Sequence, residues 1–476
     1  MPDYDTTRIS CPVHATIRLG ALETAILNSG CMQRLRNIKQ LSLASYVFPG
    51  GDYSRLSHGL GVLHVASSML TALHDRRPDV VDDGVIDDLR VAALVHDIGH
   101  LPFSHTMEQA LRAVYEESAV PILPAGGVAG VESEGTLSHE EIGAGILRSD
   151  PELSRLLSSE RSERIGRIIQ GDSLEVLDYR EAQAHLGSLL CSDLDADRID
   201  YLMRTARHTG LPYGGVDLPI LLSQIRLDDA DMVCFGDNAL HAVDQCLISR
   251  YFDRVTIPFH RTVAGFELLL QDVIRDLIAH GLIAADRTAI EGMIEDGSWV
   301  DFDDLLLVER MRALRDRRRL DRQVRARVEA ILHRRPPRLL AQIEYVEPAG
   351  DPSAFEAQLD AAEGVIAELA EEHPEERLYL WKQDGFTLTS LASGEAEHGT
   401  PPDFDESEER PRDVRMLVGN RGGSTSIRNV GASLMTALAD KSYYAVRIYS
   451  LTPPSEAPSR ALIEQRLTDP RWQFLL

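Results

Sequence analysis

The sequence predicts a mainly α protein with a smaller α+β region at its C-terminal end, and three observations predict it. From the N-terminus to about residue 340, apolar residues recur at three- and four-residue spacing in runs broken by Gly and Pro. After Pro348 the pattern changes to short alternating or continuous apolar runs of strand length. The chain has 476 residues, 43% hydrophobic and 26% charged, which suits one large core with an appendage. The expected division is a helical domain over residues 1–340 and an α+β region over 341–476.

Three segments read as amphipathic helices: "RLSHGLGVLHVA", "VAALVHDIGHLPFSH" up to its HD pair, and "SDLDADRIDYLMR". The second is expected to end at His96-Asp97, with Gly99 in a left-handed C-terminal position and Pro102 preventing continuation. Ser104 is then the expected N-cap of the helix "HTMEQALRA". Pro121 to Thr136 is Gly-rich and aperiodic, a loop. The arginine-dense stretch from Arg310 to Arg338 reads as a solvated helix face, with a nucleotide-phosphate or subunit contact as the alternative. Beyond Pro348, "LYLWKQDGFTLTSL", "DVRMLVGNRGG" and "YYAVRIYSL" read as strands and "SIRNVGASLMTAL" as a helix. Ser393 to Asp413 is acidic, Pro-bearing and expected to be flexible.

A net charge of −26 disfavours a protein that grips nucleic acid through its phosphate backbone. The five cysteines show no C-x-x-C spacing, the N-terminal residues lack a basic stretch leading into an apolar one, and no apolar run reads as long enough to span a bilayer. A cytoplasmic protein with reduced thiols and no membrane partner is expected.

Four residues carry the chemistry: His58, the adjacent pair His96-Asp97, and Asp197. A neutral imidazole beside a carboxylate, with one more of each from distant helices, can enclose a divalent cation and leave positions open for reaction. Mixed nitrogen and oxygen donors suit Mn, Fe or Zn, with Mg possible. His105 and Glu108 stand three residues apart on one helix face, so the carboxylate can orient the imidazole for proton transfer near neutral pH.

The strings around these residues are "QRLRNIKQLSLASYVFPGGDYSRLSHGLGV", "HDIGHLPFSHTMEQAL", "LDADRIDYLMRTARHTGLPYGGVDL" and "ISRYFDRVTIPFHRTV". They resemble the HD superfamily of metal-dependent phosphohydrolases, and within it the dNTP triphosphohydrolase branch, from about Cys11 to Leu340. The resemblance implies an HD-domain helical core binding one divalent metal ion per site. It implies hydrolysis of a deoxynucleoside triphosphate to deoxynucleoside and inorganic triphosphate, by a homo-oligomer of two to six chains. It gives His105, Glu108 and His139 catalytic roles and makes His100 a phosphate contact. Phosphate contacts also fall on Arg55, Arg198 and Arg250, where guanidinium geometry suits phosphate oxygens. Tyr201 falls beside the sugar, and Gln40 and Leu41 at its 3′ and 2′ positions. Gln33 and Arg36 match two residues of an allosteric nucleotide site. Alternatives of the same superfamily are action on ribonucleotides, monophosphates or cyclic nucleotides; a third is a nucleotide-binding sensor without turnover.

The pattern breaks at three places. Thr205 replaces an aspartate that binds the 3′-hydroxyl, and Pro258 replaces a tyrosine that packs on the sugar. Asn28 replaces an acidic residue that reads guanine in the allosteric site. Weaker discrimination between deoxyribose and ribose is expected, and a weaker hold on guanine in the allosteric site, because Asn28 can hydrogen-bond but lacks the charge.

Overall fold

The computed structural model describes residues 6–115, 136–348, 353–374, 376–387, 413–417, 422–438, 441–451 and 460–475. The Gly-rich loop lies outside them except for Thr136, and the acidic segment except for Asp413.

Helices dominate as far as Leu332, around one extended apolar core. At its centre is the helix Arg55–His74, packed against Asp83–Val95 on one side and Ala196–Thr209 on the other. Each begins on a side-chain cap: Ser54 accepts from the Ser57 N–H, Asp82 from Gly84 and Val85, and Asp195 from Arg198. The third ends on Gly210 in the left-handed conformation, at φ 75°. By length and composition Arg55–His74 could cross a membrane, contrary to the sequence expectation, because Leu, Val, Ala and Met crowd its length. In the fold that apolar stretch is 67% buried.

A small hairpin, Thr7–Cys11 with Ala15–Leu19, precedes the helices and was not expected. Two short strands inside the helical region, Ile225–Leu227 and Val233–Phe235, pair onward to Arg415–Leu417 and Ser424–Ser426. The larger sheet orders its strands Gln473–Phe474, Arg338–Pro348, Lys441–Ser450 and Leu378–Thr387, all antiparallel neighbours. One face is covered by the helix Ser353–Glu372, and Tyr379, Phe386, Tyr443 and Tyr449 join the main helical core. The strand Arg338–Pro348 begins before residue 340, and the two regions share both a sheet and a core. The stretch expected as one helix, "SIRNVGASLMTAL", forms only a 3-10 turn Ile427–Asn429 and the short helix Leu434–Leu438, with Gly431 between them.

Two local expectations are corrected. Gly99 has no positive φ. A Cβ there would lie 2.1 Å from the His139 carbonyl oxygen and 2.4 Å from the Gly143 nitrogen, so glycine permits backbone contact with the helix His139–Ser149. Ser104 does not adopt the extended backbone of an N-cap: Phe103 and Ser104 both sit at φ 56°. Left-handed non-glycine residues cost on the order of 1–3 kcal/mol each and persist where the surroundings fix them. Here the Ser104 hydroxyl accepts from Arg55 Nε at 2.8 Å and lies 3.2 Å from the Lys39 carbonyl. The Phe103 N–H donates to Asp304 at 2.7 Å.

Candidate active site

The central three helices bring their ionisable side chains to one place. His58 Nε2 lies 2.8 Å from Asp197 Oδ1 and 3.9 Å from Asp97 Oδ2. His96 Nε2 lies 3.4 Å from Asp97 Oδ1 and 3.9 Å from Asp197 Oδ1. Ligand atoms of His58, His96 and Asp197 all fall within 4.8 Å of one another. The two imidazoles are set by their other nitrogens: His96 Nδ1 donates to the Ala93 carbonyl at 2.9 Å, and His58 Nδ1 to Asp200 at 2.8 Å. His96 Nε2 is consequently left buried without a hydrogen-bond partner. Such an orphaned lone pair facing two carboxylates fits a divalent cation held by His58, His96 and Asp197; Asp97, expected as a fourth ligand, lies beside this group with its oxygens engaged by Arg55 and His100.

The two carboxylates are held ionised, as a cation requires, while His58 must give up a proton to become a ligand. Burial opposes the charged form of Asp197, but the His58 imidazole more than offsets it and holds the carboxyl below its usual range. Burial likewise opposes Asp97, and Arg55, His96 and His100 together keep it ionised. Burial would lower His58, yet Asp197 and Asp200 on its two nitrogens raise it to about 10.

A second cluster adjoins the first. His105 Nδ1 meets Glu108 Oε2 at 3.0 Å, while His100 Nδ1 and His139 Nδ1 each approach Glu108 Oε1 at 3.3 Å. The rings of His100 and His139 stack at 3.8 Å between centroids. His100 links the clusters, because its Nε2 lies 3.1 Å from Asp97 Oδ1. Its ring is buried, and burial with Arg55 and His139 nearby lowers its pKa to about 4. Burial opposes the Glu108 charge, but His105 and His139 hold the carboxyl well down. Glu108 in turn raises His139 against the effect of burial. His105 side-chain exposure is 62%, so its ring faces the open side. These four residues could also gather an ion, their donors lying within 4.8 Å. Three imidazoles converging on one carboxylate equally make a proton-transfer group.

The arginines are placed as follows. Arg55 is buried and donates through Nη1 to Asp97 at 2.7 Å and through Nε to Ser104. Arg198, next to Asp197 in the chain, pairs with Asp195, and Arg250 donates to the Asp193 carbonyl. Burial and the nearby Arg198 charge lower Arg250 to about 9, so two cations sit close together. Asp197, Tyr201 and Thr205 follow at four-residue spacing on one helix face. The Tyr201 hydroxyl donates to Asp253. Thr205 is fully buried and its hydroxyl meets Tyr53 OH at 2.7 Å. The side-chain oxygen of Gln40 is buried without a partner, and Leu41 packs beside Ala44, Ile257 and Val263. Pro258 follows the end of the helix Leu240–Thr256. Gln33 and Arg36 bond to each other at 2.5 Å, away from these clusters in their bonding, beside exposed Asn28. The dense arginines further on include Arg327, which pairs with Asp276 through two 2.8 Å bonds.

Sequence reasoning missed Asp200, His14 and Arg204. The only signal for Asp200 was its position three residues after Asp197, one helical turn along.

Residues 55–202 match the family model of the HD domain. The uncharacterized protein YwfO of Bacillus subtilis is 30% identical over 264 residues, 55% of this chain and 54% of its own length. The deoxynucleoside triphosphate triphosphohydrolase SAMHD1 of Xenopus laevis is 28% identical over 216 residues, 42% of this chain and 34% of that protein. Matched regions span about half the length of the first curated relatives, from 49% to 57%. A hypothetical protein from Aquifex aeolicus shares the fold with a TM-score of 0.65 at 22% identity, over 97% of this chain and 99% of that one. The chain thus carries an HD domain, and the domain spans His58, His96, Asp97 and Asp197.

Proposed function

We propose that this HD-domain protein is a metal-dependent phosphohydrolase that converts deoxynucleoside triphosphates to deoxynucleoside and inorganic triphosphate. The observation that carries the reading is the shared edge of the two clusters: Asp97 touches the cation donors on one side and His100 of the proton-transfer group on the other. A phosphoryl centre between them would have a cation and an acid–base group within reach together. SAMHD1 similarity points to the triphosphohydrolase reaction rather than to another phosphate ester.

His58, His96, Asp97 and Asp197 would hold the ion. A bound divalent cation supplies charge neutralisation at the phosphoryl group and a more acidic water. The remaining work falls to the side chains. Arg198 follows Asp197 in the first turn of the helix Ala196–Thr209, and Arg250, from the helix Leu240–Thr256, bonds to the Asp193 carbonyl just before that turn, where a triphosphate needs cations. Helical rise sets Tyr201 about 6 Å further along, the distance at which a sugar follows its phosphate. His105, exposed and tied to Glu108, or His139, whose proton Glu108 retains, delivers a proton to the departing 5′-oxygen. A homo-oligomer is part of the same proposal.

A second reading, hydrolysis of ribonucleotides, has one observation in its favour: Thr205 offers no carboxylate to a sugar hydroxyl and is closed off by Tyr53. Both readings are tested by incubating the purified chain with the four dNTPs and four NTPs plus Mn²⁺. Release of intact triphosphate from dNTPs supports the proposal. Orthophosphate as the primary product, or no product from any dNTP, rejects it.

A further inference from the structure

The Asp200 carboxylate is fully buried and receives four donors. His58 Nδ1 at 2.8 Å and Arg204 Nε at 2.9 Å meet Oδ2; His14 Nε2 at 2.6 Å and Arg204 Nη2 at 2.9 Å meet Oδ1. Space for this arrangement is reserved by Gly61, where a Cβ would fall 1.9 Å from Asp200 Oδ1 and 2.4 Å from Arg204 Nη2. His14 comes from the turn of the N-terminal hairpin, whose strands pair down to Cys11 opposite Ala15. Its side chain is only 2% exposed. It lies outside residues 55–202, so the HD domain does not include it.

An imidazole ligand binds a cation well only when its other nitrogen fixes the tautomer and the ring plane. Asp200 does this for His58. Arg204 alone holds the carboxylate from one side, and His14 holds the far edge of Oδ1, so the carboxylate plane is fixed by two elements distant in sequence. We propose that His14 is a positioning residue for cation binding: through Asp200 it orients His58, which makes the N-terminal hairpin part of the ion-binding device. This rests on the assignment of His58 as a ligand, and it is independent of which nucleotide is hydrolysed.

The test measures Mn²⁺ alone binding to the full chain, by titration calorimetry and by the electron paramagnetic resonance of free Mn²⁺. His14→Leu removes the donor and should weaken Mn²⁺ binding by about 10-fold, the lower end of what losing the partner directly behind a ligand costs, since Arg204 still holds Asp200. His14→Gln places an amide N–H near the position of the ring Nε2 and should bind within a few-fold of wild type. A folded His14→Leu chain with wild-type Mn²⁺ affinity overturns the proposal, as does a glutamine variant as weak as the leucine one. If His14→Leu does not fold, His14→Asn replaces it, since its amide stops short of Asp200. Weaker binding than the glutamine variant then supports the proposal, and equal binding overturns it. The readout is ion binding, so its failure is distinct from a failure to hydrolyse nucleotides.

Discussion

Glu108→Gln removes one charge at the point where three imidazoles meet. In the native chain one carboxylate faces His105 at 3.0 Å and His100 and His139 at 3.3 Å. An amide of the same shape removes the charge that the His105 hydrogen bond and the two 3.3 Å ion-pair contacts rest on. A hydrogen bond to a charged group is worth about 1.5–3 kcal/mol. Loss of the His105 bond amounts to roughly 10- to 10²-fold in rate, at about 1.4 kcal/mol per factor of ten. That range reaches the lower end of the 10²–10⁴-fold expected for a positioned acid or base. The pH profile should move in a definite direction. Burial lowers His139 and the Glu108 charge raises it above its ordinary value, so the ring keeps its proton to higher pH. A ring that donates its proton works below its pKa; without Glu108 that pKa falls, and the alkaline limb of kcat shifts to lower pH. The assay is kcat against pH on a nucleotide that the wild type hydrolyses, with metal content measured on the same samples. A variant with wild-type rate and an unmoved alkaline limb refutes the role of Glu108. Loss of the metal would also refute it, because Glu108 is not among the proposed ligands.

Asp197→Ala should abolish turnover and deplete bound metal while the circular dichroism spectrum stays helical, since the helix Ala196–Thr209 keeps its buried apolar face; full activity would exclude Asp197 from the site. Gly99→Ala drives a methyl group into backbone atoms of the helix that carries His139. A displacement near 1 Å at a catalytic group can cost about 10²-fold, so turnover should fall by that order with helicity intact, and a wild-type rate would contradict the role of His139. Because Thr205 lacks a carboxylate and is bonded to Tyr53, preference for a dNTP over its NTP should be weak. Thr205→Asp with Pro258→Tyr should raise the ratio of kcat/KM by roughly 10- to 100-fold per restored contact, about 1–3 kcal/mol each; near-complete rejection of NTPs by the wild type would end this reasoning.

The residues proposed as cation donors could be picked out in the sequence because they sit in or at the end of helices with a regular apolar face, within distinctive strings; the structure brings His58, His96 and Asp197 together. Other features could not be read, for identifiable physical reasons. Gly99 looked like a left-handed helix end, yet what demands glycine is the approach of another helix; the residue type is the same for both causes. Ser104 looked like a cap, and its hydroxyl was instead claimed by Arg55 and Lys39, partners from distant segments. Ile225–Leu227 and Val233–Phe235 are three residues each, too short to display alternation; they pair with each other, and the second also pairs with a strand about 180 residues later in the chain. Ser353–Glu372 did carry a signal, with Phe355, Ala362, Val365 and Leu369 buried on one side at helical spacing.

Arg55 shows where residue type and structure say different things. Its identity suggests a free cation for phosphate, but the guanidinium is buried and bonded to Asp97 and Ser104. Both partners belong to the turn that follows His96, and Ser104 holds left-handed backbone. Arginine has five N–H donors, so a group tied by Nε and one Nη1 bond can still face an anion while its plane is fixed. The bond to Asp97 also keeps that carboxylate ionised beside the cation donors. An uncharged residue at position 55 would therefore release the turn and the Asp97 carboxylate together, and with them the phosphate contact proposed for Arg55. Effects of this kind are not separable by a single substitution, and Arg55 acts as the link between the cation site and the turn that delivers His100 and His105.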